Sequence, residues 1–351
     1  MSKKVAIIIS PNWQDYAKKY LADCLESLRR QGYQGGIKVF IPDNESSEES
    51  FWLLKKMAPE AEIIRIKENS GFARGNNEAI KLALKQGFDY IILFNMDTII
   101  KENCVNELVK VAESDKKIGA VQAWLMLWPD KEKINSLGNV THFLGFGYCL
   151  GYGQRMSDVR FRISDICYPS GAAVLFKAEV LKKVGLFDEE FWMYNEDQDL
   201  GWRIWLAGWR CVLAPEAVVY HKYEFAKSIK QYYFMDRNRM LSIVKNYHWL
   251  TLVLITPACL VMEFGLLLFS TKTGWFKEKI KVWLYFLNPQ TWKYLIKARR
   301  EAQSLRQVKD RDIVKMFSGK VWYQEIGDGR LKVANIVFDI YWQMVRFLIR
   351  W

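Results

Sequence analysis

The sequence has 351 residues, enough for one large domain or two of ordinary size. Half of the residues are apolar and 15% are aromatic, which excludes a chain that is disordered throughout. The six cysteines stand far apart and form no Cys-x-x-Cys pair, so they indicate neither a zinc knuckle nor a disulfide framework and favour reduced thiols in the cytosol. The N-terminus leads directly into a short apolar run, without the longer apolar stretch and cleavage site of a signal peptide.

The net charge of +12 is unevenly distributed. Residues 1–221 hold 28 Lys and Arg against 29 Asp and Glu, whereas residues 222–351 hold 23 against 10 and carry seven tryptophans. A basic, aromatic region indicates either an anionic membrane surface or nucleic acid. Aromatic residues that stack on bases lie beside basic residues on strands, whereas these lie on apolar helical faces, so the pattern favours a membrane.

Up to about residue 220, short apolar runs alternate with amphipathic stretches. The runs predict strands at Val5–Ser10, Ile37–Pro42, Ile63–Lys67, Tyr90–Asn95 and Ala120–Trp124. The amphipathic stretches predict helices near Tyr16–Gln31, Glu48–Met57, Arg74–Gln86 and Glu102–Glu113. This alternation indicates an α/β fold with a mostly parallel sheet and helices on both faces. Ligands bind beyond the carboxyl ends of the strands in such sheets.

Beyond residue 225 the alternation stops, and Trp249–Phe269 is a largely apolar run that only Pro257 and Glu263 interrupt to any extent. About 20 apolar residues can span a bilayer. A central carboxylate costs about 2.5–3.5 kcal/mol there. A single span would also place the basic residues 270–351 on the far side, against the positive-inside tendency. A helix at the membrane interface, a span and a soluble core helix therefore remain three readings.

The last segment, Ala334–Trp351, predicts a helix with one narrow polar stripe. At 100° per residue its polar side chains fall within an arc of about 80°. They are Asn335, Asp339, Gln343, Arg346 and Arg350. Such a helix must be buried against protein or in a membrane interface.

Two polar blocks follow predicted strands. Asp43–Ser47 comes directly after the second predicted strand. An Asp at this place can accept hydrogen bonds from a base or ribose. The alternative is that the block is a turn followed by a helix cap. Asn69–Asn77 places glycines and amides before a helix whose N-terminus can face phosphate, and the alternative is an ordinary loop.

Carboxylates mark two further places. Asn95–Thr98 ends a strand and places a carboxylate where it can bind a divalent cation, unless it caps the next helix. Glu196–Asp199 puts three carboxylates within four residues at a predicted helix start, which is either a solvated acidic turn or a functional cluster. Pro215–His221 predicts a strand that ends in a histidine.

In this order the blocks resemble the family 2 glycosyltransferases, and more narrowly their bacterial rhamnosyltransferase-like branch. The resemblance runs from Val5 to about Asn238, roughly two thirds of the chain. It rests on Asn-x-Gly-Phe-Ala-x-Gly-Asn-Asn, a strand ending in Asn-x-Asp, Gly-Phe-Asp-Glu, Glu-Asp-x-Asp-Leu and Pro-x-Ala-x-x-x-His. The opening Tyr-Asn-like turn of that branch is altered here to Ser10-Pro11-Asn12, and Leu186 interrupts the Gly-Phe-Asp-Glu block.

The resemblance implies a GT-A-type, Rossmann-like fold and a role for each matching residue. The nucleotide-sugar donor would be held by Ser10, Pro11, Asp43, Asn69, Gly71, Arg74, Asn76 and Asn95. A divalent cation, Mg²⁺ or Mn²⁺, would be bound by Asp97 and His221, although Asn95 stands where the common Asp-x-Asp motif has its first carboxylate. Asp197 would be the general base, and Gly171, Trp192 and Glu196 would lie on the acceptor side.

These observations predict a catalytic domain over residues 1–225 and a helical membrane-docking region over residues 226–351. The catalytic domain would have a nucleotide-sugar half (about 1–125) and an acceptor half (about 126–225). The expected activity is inverting transfer of a sugar, first L-rhamnose from dTDP-rhamnose, to a lipid-linked or polysaccharide acceptor in cell-surface glycan synthesis at the cytoplasmic face of the membrane. The expected partners are the donor, the acceptor and anionic lipid, with no nucleic acid and with a homo-oligomer possible.

Four alternatives remain. The first, within the same class, is transfer of a hexosyl or galactofuranosyl group from a UDP-sugar. A nucleotidyltransferase should show a Gly-rich, Arg-containing loop after the first strand, and Ser10–Trp13 is not one. The others are a basic nucleic-acid-binding or membrane-binding protein without enzymatic activity, and a scaffold that binds no nucleotide.

Overall fold

A computed structural model describes residues 3–159, 162–223, 229–321 and 329–351. The chain divides into two compact units. The first comprises Met1–Asn139, Cys149–Ile204 and Trp209–Glu224, and the second comprises Val140–Tyr148, Trp205–Gly208 and Phe225–Trp351.

The first unit is built around a ten-stranded sheet with the order β10-β12-β6-β11-β4-β1-β2-β3, in which β5 also pairs with β12 and β7 with β6. Its strands are β1 (Val5–Ile9), β2 (Ile37–Asn44), β3 (Glu62–Ile66), β4 (Tyr90–Phe94), β5 (Thr98–Ile100), β6 (Ile118–Leu127), β7 (Ile134–Ser136), β10 (Ser164–Asp165), β11 (Ala173–Lys177) and β12 (Arg210–His221). A separate pair joins β8 (Asn139–Thr141) to β9 (Gly147–Cys149).

Strands β3, β2, β1 and β4 are parallel neighbours, and β12 runs parallel to β6. Strand β11 lies antiparallel between β4 and β6. All five residues of β1 and of β4 are apolar and buried, as strands covered on both faces require. The prediction of a mostly parallel α/β sheet is confirmed.

Six helices accompany this sheet. They are α1 (Tyr16–Arg29), α2 (Glu48–Met57), α3 (Gly71–Lys85), α4 (Cys104–Ser114), α5 (Ala178–Val184) and α6 (Glu196–Leu206). Helix α1 buries Ala17, Leu21, Cys24 and Leu28 at intervals of three and four residues, the spacing of one helical face. Helix α3 begins three residues earlier than predicted, so most of the expected Asn69–Asn77 loop is the first part of this helix.

The second unit contains the helices beyond residue 228. They are α7 (Ile229–Asn246), α8 (Trp249–Thr273), α9 (Phe276–Leu287), α10 (Pro289–Ser304), α11 (Asp310–Ile313) and α12 (Gly329–Leu348). The buried Asp310 carboxylate fastens the start of α8, because it accepts hydrogen bonds from His248 N at 2.8 Å and Thr251 Oγ1 at 2.6 Å. Arg306 pairs with its other oxygen at 2.7 Å.

Helix α8 contains the predicted apolar run. Of the described helices it alone is long and apolar enough to cross a membrane, and most of its apolar stretch is not buried by protein. Helix α12 contacts protein along one edge only: Trp342 is fully buried and stacks on Phe143 with ring centroids 4.8 Å apart. Burial against protein, the first reading of the C-terminal segment, is therefore confirmed for one side of α12, and burial in a membrane interface stays a prediction for its exposed apolar side.

Candidate active site

The candidate site lies in the first unit, where the carboxyl ends of β1, β2 and β4 meet. The backbone of Ser10 donates to Phe94 O at 2.8 Å, and the Ser10 hydroxyl accepts from Met96 N at 3.1 Å. Asn12 continues beside β2, since its backbone bonds to Pro42 and to Asn44 at 2.8 Å each. The turn after β1 is thus bonded to both neighbouring strands. Ser10 therefore has a structural hydrogen bond in addition to its predicted role in binding the nucleotide sugar.

Asp97 and His221, predicted as metal ligands, are brought together by the pairing of β5 with the end of β12. His221 Nε2 lies 3.3 Å from Asp97 Oδ1, and both side chains are largely buried. The other carboxylate oxygen of Asp97 accepts from the Tyr16 hydroxyl at 2.8 Å. Nothing in the sequence pattern indicated Tyr16, which is the first residue of a predicted helix.

Asn135, on the short strand β7, orients the histidine. Its Oδ1 lies 3.0 Å from His221 Nδ1. An amide oxygen only accepts, so this contact is a hydrogen bond when Nδ1 carries the proton. In that neutral tautomer the lone pair of Nε2 faces Asp97 and can bind a cation, whereas a proton on Nε2 is directed at the Asp97 carboxylate and stabilises its charge. The sequence analysis missed Asn135, because β7 belongs to a stretch without a recognisable pattern.

This pair fits a divalent cation. Asp97 Oδ1 is buried and has no hydrogen-bond partner among the described residues, although it faces an imidazole nitrogen. A carboxylate oxygen beside an imidazole nitrogen suits Mn²⁺ or Mg²⁺. No group of three His, Cys, Asp or Glu side chains arranged to hold a metal occurs within the described ranges. The donor diphosphate and water would supply further ligands.

The electrostatics of Asp97 agree with a charged carboxylate. Burial raises the pKa of Asp97, but His221 and the Tyr16 hydroxyl outweigh burial and hold this pKa below its usual range. Asp97 is therefore ionised at neutral pH. It is not a helix cap, since α4 begins only at Cys104 and the residue at its N-cap is Asn103.

Asp43, predicted to hold the nucleotide, is fully buried inside β2 instead of following it. Its Oδ1 accepts from Asn12 Nδ2 at 2.9 Å, while Oδ2 has no hydrogen bond from the described residues and lies 3.8 Å from Arg65 Nε. Capping of α2 falls to Ser47, which accepts from Ser50 N at 3.1 Å. The turn-and-cap alternative is therefore confirmed for the block Asp43–Ser47, through Ser47, but not for Asp43 itself, which lies within β2.

Asn44 organises the adjoining block. Its side chain accepts from Ser70 N at 2.9 Å and donates to Asn69 Oδ1 and Gly71 O at 3.2 Å each. Gly71 has φ of +74°, and a Cβ there would lie 2.4 Å from Trp192 O, so a side chain is excluded both by conformation and by space. The predicted donor-side Gly71 and acceptor-side Trp192 are therefore in contact.

The remaining donor-side residues are placed less directly. The Arg74 guanidinium forms an ion pair with Glu68 at 2.7 Å on the surface. Asn76 is buried and donates to Phe72 O within its own helix. Pro11 packs so closely on Gly75 that a Cβ there would lie 2.5 Å from its ring. Asn95 Oδ1 is buried without a hydrogen bond from the described residues. Their roles toward a nucleotide stay predictions.

The acidic cluster lies at the start of α6, as predicted, and its three carboxylates have different surroundings. Asp199 forms a buried ion pair with Arg203, Oδ2 to Nε 2.9 Å, which identifies it as structural. Asp197 accepts from Gln198 N at 2.8 Å and from Gly171 N at 3.3 Å. Glu196 Oε2 is buried and has no partner in the described chain. The solvated-turn alternative is wrong for Glu196 and Asp199, which are buried, while Asp197 is half-buried.

The contact with Gly171 connects this cluster to the carboxyl end of β4. Gly171 precedes β11, and the next residue, Ala172, accepts from Asn95 N at 2.9 Å. Asp197 is thereby connected, through the backbone of Gly171 and Ala172, to the same strand end that carries Asp97. The predicted base and the predicted metal ligand belong to one edge of the sheet.

The backbone before α6 is strained. Trp192, Tyr194 and Asn195 all have positive φ, of 60°, 68° and 64°. This conformation is uncommon for bulky residues and concentrates at functional sites, where the surrounding structure must enforce it. Trp192 is fixed by its carbonyl, which accepts from Ala73 N at 3.1 Å.

Burial also sets the titration of the acidic pair. It raises the pKa of Asp197 to about 6, although bonds from the Gly171 and Gln198 backbones oppose the rise. Burial and the neighbouring Asp197 raise the pKa of Glu196 well above its usual range. Two adjacent carboxylates whose pKa values are both raised by burial match the pattern of an acid–base site.

The sheet, its strand-end carboxylates and the buried acidic helix start define a GT-A-type fold. A family model described as "Glycosyltransferase like family 2" matches residues 3–239. The chain belongs to this family and is a glycosyltransferase.

Curated relatives are more distant. The poly-β-1,6-N-acetyl-D-glucosamine synthase of Staphylococcus aureus is 26% identical over 200 residues, which cover 56% of this chain and 45% of that protein. The N-acetylglucosaminyl-diphospho-decaprenol L-rhamnosyltransferase of Mycobacterium tuberculosis is 25% identical over 237 residues, 62% of this chain and 74% of that protein. The chain thus spans less than half the length of the synthase.

Solved structures share the fold. S. aureus TarS 1–349 in complex with UDP has a TM-score of 0.51 at 15% identity, and the match covers 98% of this chain and 90% of that chain. GalNAc-T7 with UDP, GalNAc and Mn²⁺ also has a TM-score of 0.51, at 12% identity, over 67% of this chain and 48% of that chain.

Proposed function

We propose that the protein is an inverting glycosyltransferase that moves L-rhamnose from dTDP-rhamnose to a lipid-linked or polysaccharide acceptor in cell-surface glycan synthesis. The observation that carries the reaction type is Asp197, a half-buried carboxylate that accepts from two backbone N–H groups and forms no ion pair with a described residue. Desolvation raises its pKa to about 6. Such a group is poised to accept a proton at neutral pH.

The mechanism follows from the chemistry of the acceptor. A sugar hydroxyl is a weak nucleophile near neutral pH, and Asp197 takes its proton as the oxygen attacks the anomeric carbon of the donor. The anomeric C–O bond to the diphosphate breaks as the new glycosidic bond forms, so the configuration inverts in a single displacement. Asp43 and the Asn69–Asn77 block hold the nucleotide, while Gly171, Trp192 and Glu196 line the acceptor side.

Asp97 and His221 would hold a divalent cation, Mg²⁺ or Mn²⁺, against the donor diphosphate. When bound, the cation neutralises the charge of the departing nucleoside diphosphate. Asn135 keeps the His221 lone pair on the metal side, and the Tyr16 hydroxyl holds the second Asp97 oxygen. Asn95 brings an uncharged amide oxygen to the same strand end.

The choice of sugar rests on the family resemblance and on the rhamnosyltransferase relative. The second candidate is a UDP-dependent transfer of a hexosyl or galactofuranosyl group, which the UDP complexes of the fold neighbours favour. We place the enzyme at the cytoplasmic face of the membrane, peripheral or embedded in the interface, because of its basic, apolar second unit.

The test is a panel of nucleotides and nucleotide sugars with the full chain. Thermal unfolding is measured with dTDP, dTDP-rhamnose, UDP and UDP-hexoses, each with and without Mn²⁺, since a ligand that binds the folded state raises its stability. We expect the dTDP compounds to give the largest shift. A larger shift with UDP compounds would replace dTDP-rhamnose with the second candidate, and no shift with any of them would contradict a nucleotide-sugar donor.

A further inference from the structure

Helix α8 has two sides of opposite character. Its exposed apolar side chains fall within an arc of about 120° at 100° per residue. They are Trp249, Val253, Leu260, Val261, Phe264 and Leu268. The opposite side buries Thr251, Ile255, Ala258, Leu266 and Ser270. Glu263, the single charged residue of Trp249–Phe269, lies on this protein-facing side.

Helix α12 continues the exposed apolar surface. The first residue of its polar stripe bonds to protein, since the Asn335 side chain accepts from Val321 N at 2.7 Å and donates to Val321 O at 3.0 Å, whereas Gln343 and Arg350 of the same stripe are exposed. Its apolar side chains Val333, Ile336, Val337, Ile340, Met344 and Phe347 are exposed. The two helices pack together, since the Tyr341 hydroxyl donates to Leu254 O at 2.6 Å. Exposed apolar patches of this kind mark interaction surfaces.

Charge identifies the occupant. Lys272 lies in the last turn of α8, and Lys277 and Lys281 follow on α9, all exposed. The region 222–351 carries 23 basic against 10 acidic residues. An apolar surface edged by lysines fits a bilayer with anionic head groups, where apolar burial and attraction to the head groups act together.

A buried charge cluster limits how deep α8 can lie. Lys279 Nζ of α9 is 2.6 Å from Glu263 Oε2 of α8 and 2.7 Å from Asp236 Oδ2 of α7. Arg239 of α7 pairs with both carboxylates. Trp283 Nε1 donates to Glu263 at 2.9 Å. The middle of α8 is therefore fastened to α7 and α9 through four charged side chains.

This cluster is incompatible with a crossing of the bilayer by α8. Glu263 lies about 21 Å along a helix of about 37 Å, at 1.5 Å per residue, and would be near mid-membrane in a span. Lys279 would be drawn to the same depth. Lys277 and Lys281, two residues to either side of it and exposed, would then enter hydrocarbon, which charged residues avoid.

We propose that α8 and α12 form one monotopic docking surface that enters a single leaflet of an anionic membrane, with α8 along the interface and the Glu263–Lys279 cluster on its protein side. This inference rests on the membrane association proposed above and adds its topology. The surface holds the enzyme where a lipid-linked acceptor is presented.

Flotation of the full chain with vesicles tests the surface. Met344→Asp and Gln343→Asp place the same charge on adjacent residues of α12, the first on the exposed apolar side and the second on the polar stripe. We expect Met344→Asp to reduce the floated fraction about tenfold and Gln343→Asp less than twofold, with tighter binding to phosphatidylglycerol vesicles than to pure phosphatidylcholine. Equal flotation of both variants would overturn the assignment. A second result would also overturn it: the chain forms a dimer in solution that Met344→Asp dissociates, and neither the unsubstituted chain nor the variant binds vesicles. The surface would then be a contact between two copies of the chain.

The topology is tested by labelling Gln290→Cys, an exposed position at the start of α10 beyond α8, in sealed membrane vesicles with the cytoplasmic side outward. If α8 is monotopic, a membrane-impermeant maleimide reacts with this residue, so the substituted chain is labelled more strongly than the unsubstituted chain. Labelling only after detergent would show that α8 crosses. In that case membrane association stands and the one-leaflet topology is wrong. If the chain does not float with vesicles, both membrane association and topology are wrong. Nucleotide binding, measured by thermal shift, tests the glycosyltransferase activity separately.

Discussion

The two units each bury a cluster of carboxylates, and the clusters differ in what surrounds them. In the first unit, Glu196 is buried and Asp197 is half-buried. The hydrogen bonds described for Asp197 come from backbone N–H groups, and the pKa of both carboxyls is raised. In the second unit, burial alone would raise the pKa of Glu263, but Arg239 and Lys279 lower it to about 2.

The difference separates a reactive group from a structural one. A carboxylate paired with buried cations stays charged and resists protonation, so it holds helices together and cannot accept a proton at neutral pH. A carboxylate that is buried without such a cation titrates close to neutrality. The same difference occurs within helix α6. Asp199 is paired with Arg203 and is therefore structural, although it lies only two residues from Asp197.

The largest expected effect is on turnover. Asp197→Asn keeps the size of the side chain and removes its basicity, so we expect turnover to fall about 10²–10⁴-fold while the fold and donor binding persist. Steady-state kinetics and a thermal shift with the donor nucleotide measure both. Glu216→Gln, an exposed carboxylate on β12, serves as the control. Near-normal turnover of Asp197→Asn would contradict its role, and a large loss in Glu196→Gln instead would move the role to Glu196.

Disrupting the Glu263–Lys279 cluster should lower the free energy of unfolding. Lys279→Met leaves Asp236 and Glu263 with Arg239 as their remaining cation of this cluster, and breaking such a buried pair costs about 3–5 kcal/mol. Chemical denaturation measures the free energy of unfolding, with Lys281→Met, an exposed lysine two residues on, as the control. Equal stability of the two variants would show that the cluster does not fasten α8.

Sequence reasoning found the sheet and the acidic cluster because both follow from local signals. Five buried apolar residues in β1 and β4, and carboxylates directly after strands, are visible as runs and positions in the chain. The predicted helix Glu48–Met57 matches α2 residue for residue. The start of α3 was placed too late, since glycine and asparagine are weak helix formers and only tertiary contacts at Gly71 reveal the true boundary.

Partners distant in sequence escaped prediction. Asn135 and Tyr16 reach His221 and Asp97 across 86 and 81 residues, and neither has a local pattern of its own. The Glu263–Lys279 cluster was likewise unforeseen: the sequence presented Glu263 as a cost in an apolar helix, and the fold supplies the cations. Contacts of this kind depend on how strands and helices pack, which periodicity does not encode.

A smaller effect is expected at the histidine. Asn135→Ala removes the acceptor for His221 Nδ1, which leaves the ring free to turn its lone pair away from Asp97. Loss of such a supporting hydrogen bond costs about 10–100-fold in metal affinity. The Mn²⁺ concentration that gives half of the thermal shift in the presence of donor nucleotide measures this, with Asn106→Ala on α4 as the control. An unchanged Mn²⁺ requirement in a folded Asn135→Ala protein would argue against His221 as a ligand.

The smallest effect, and the one that tests the comparison most directly, is the pH dependence of turnover. Asp197 must be ionised to accept the acceptor proton, and burial raises its pKa to about 6. Turnover should therefore be constant above this value and fall about tenfold for each pH unit below it, because the reactive fraction of Asp197 declines in that proportion. The Glu263 cluster, with its pKa lowered, stays ionised throughout this range, so the loss should be reversible and should occur without unfolding. Rates and near-ultraviolet circular dichroism measured between pH 5 and 8 separate the two effects, and residual turnover of Asp197→Asn should lack the inflection. An inflection that persists in Asp197→Asn would assign the titration to another group and remove the strongest physical argument for this base.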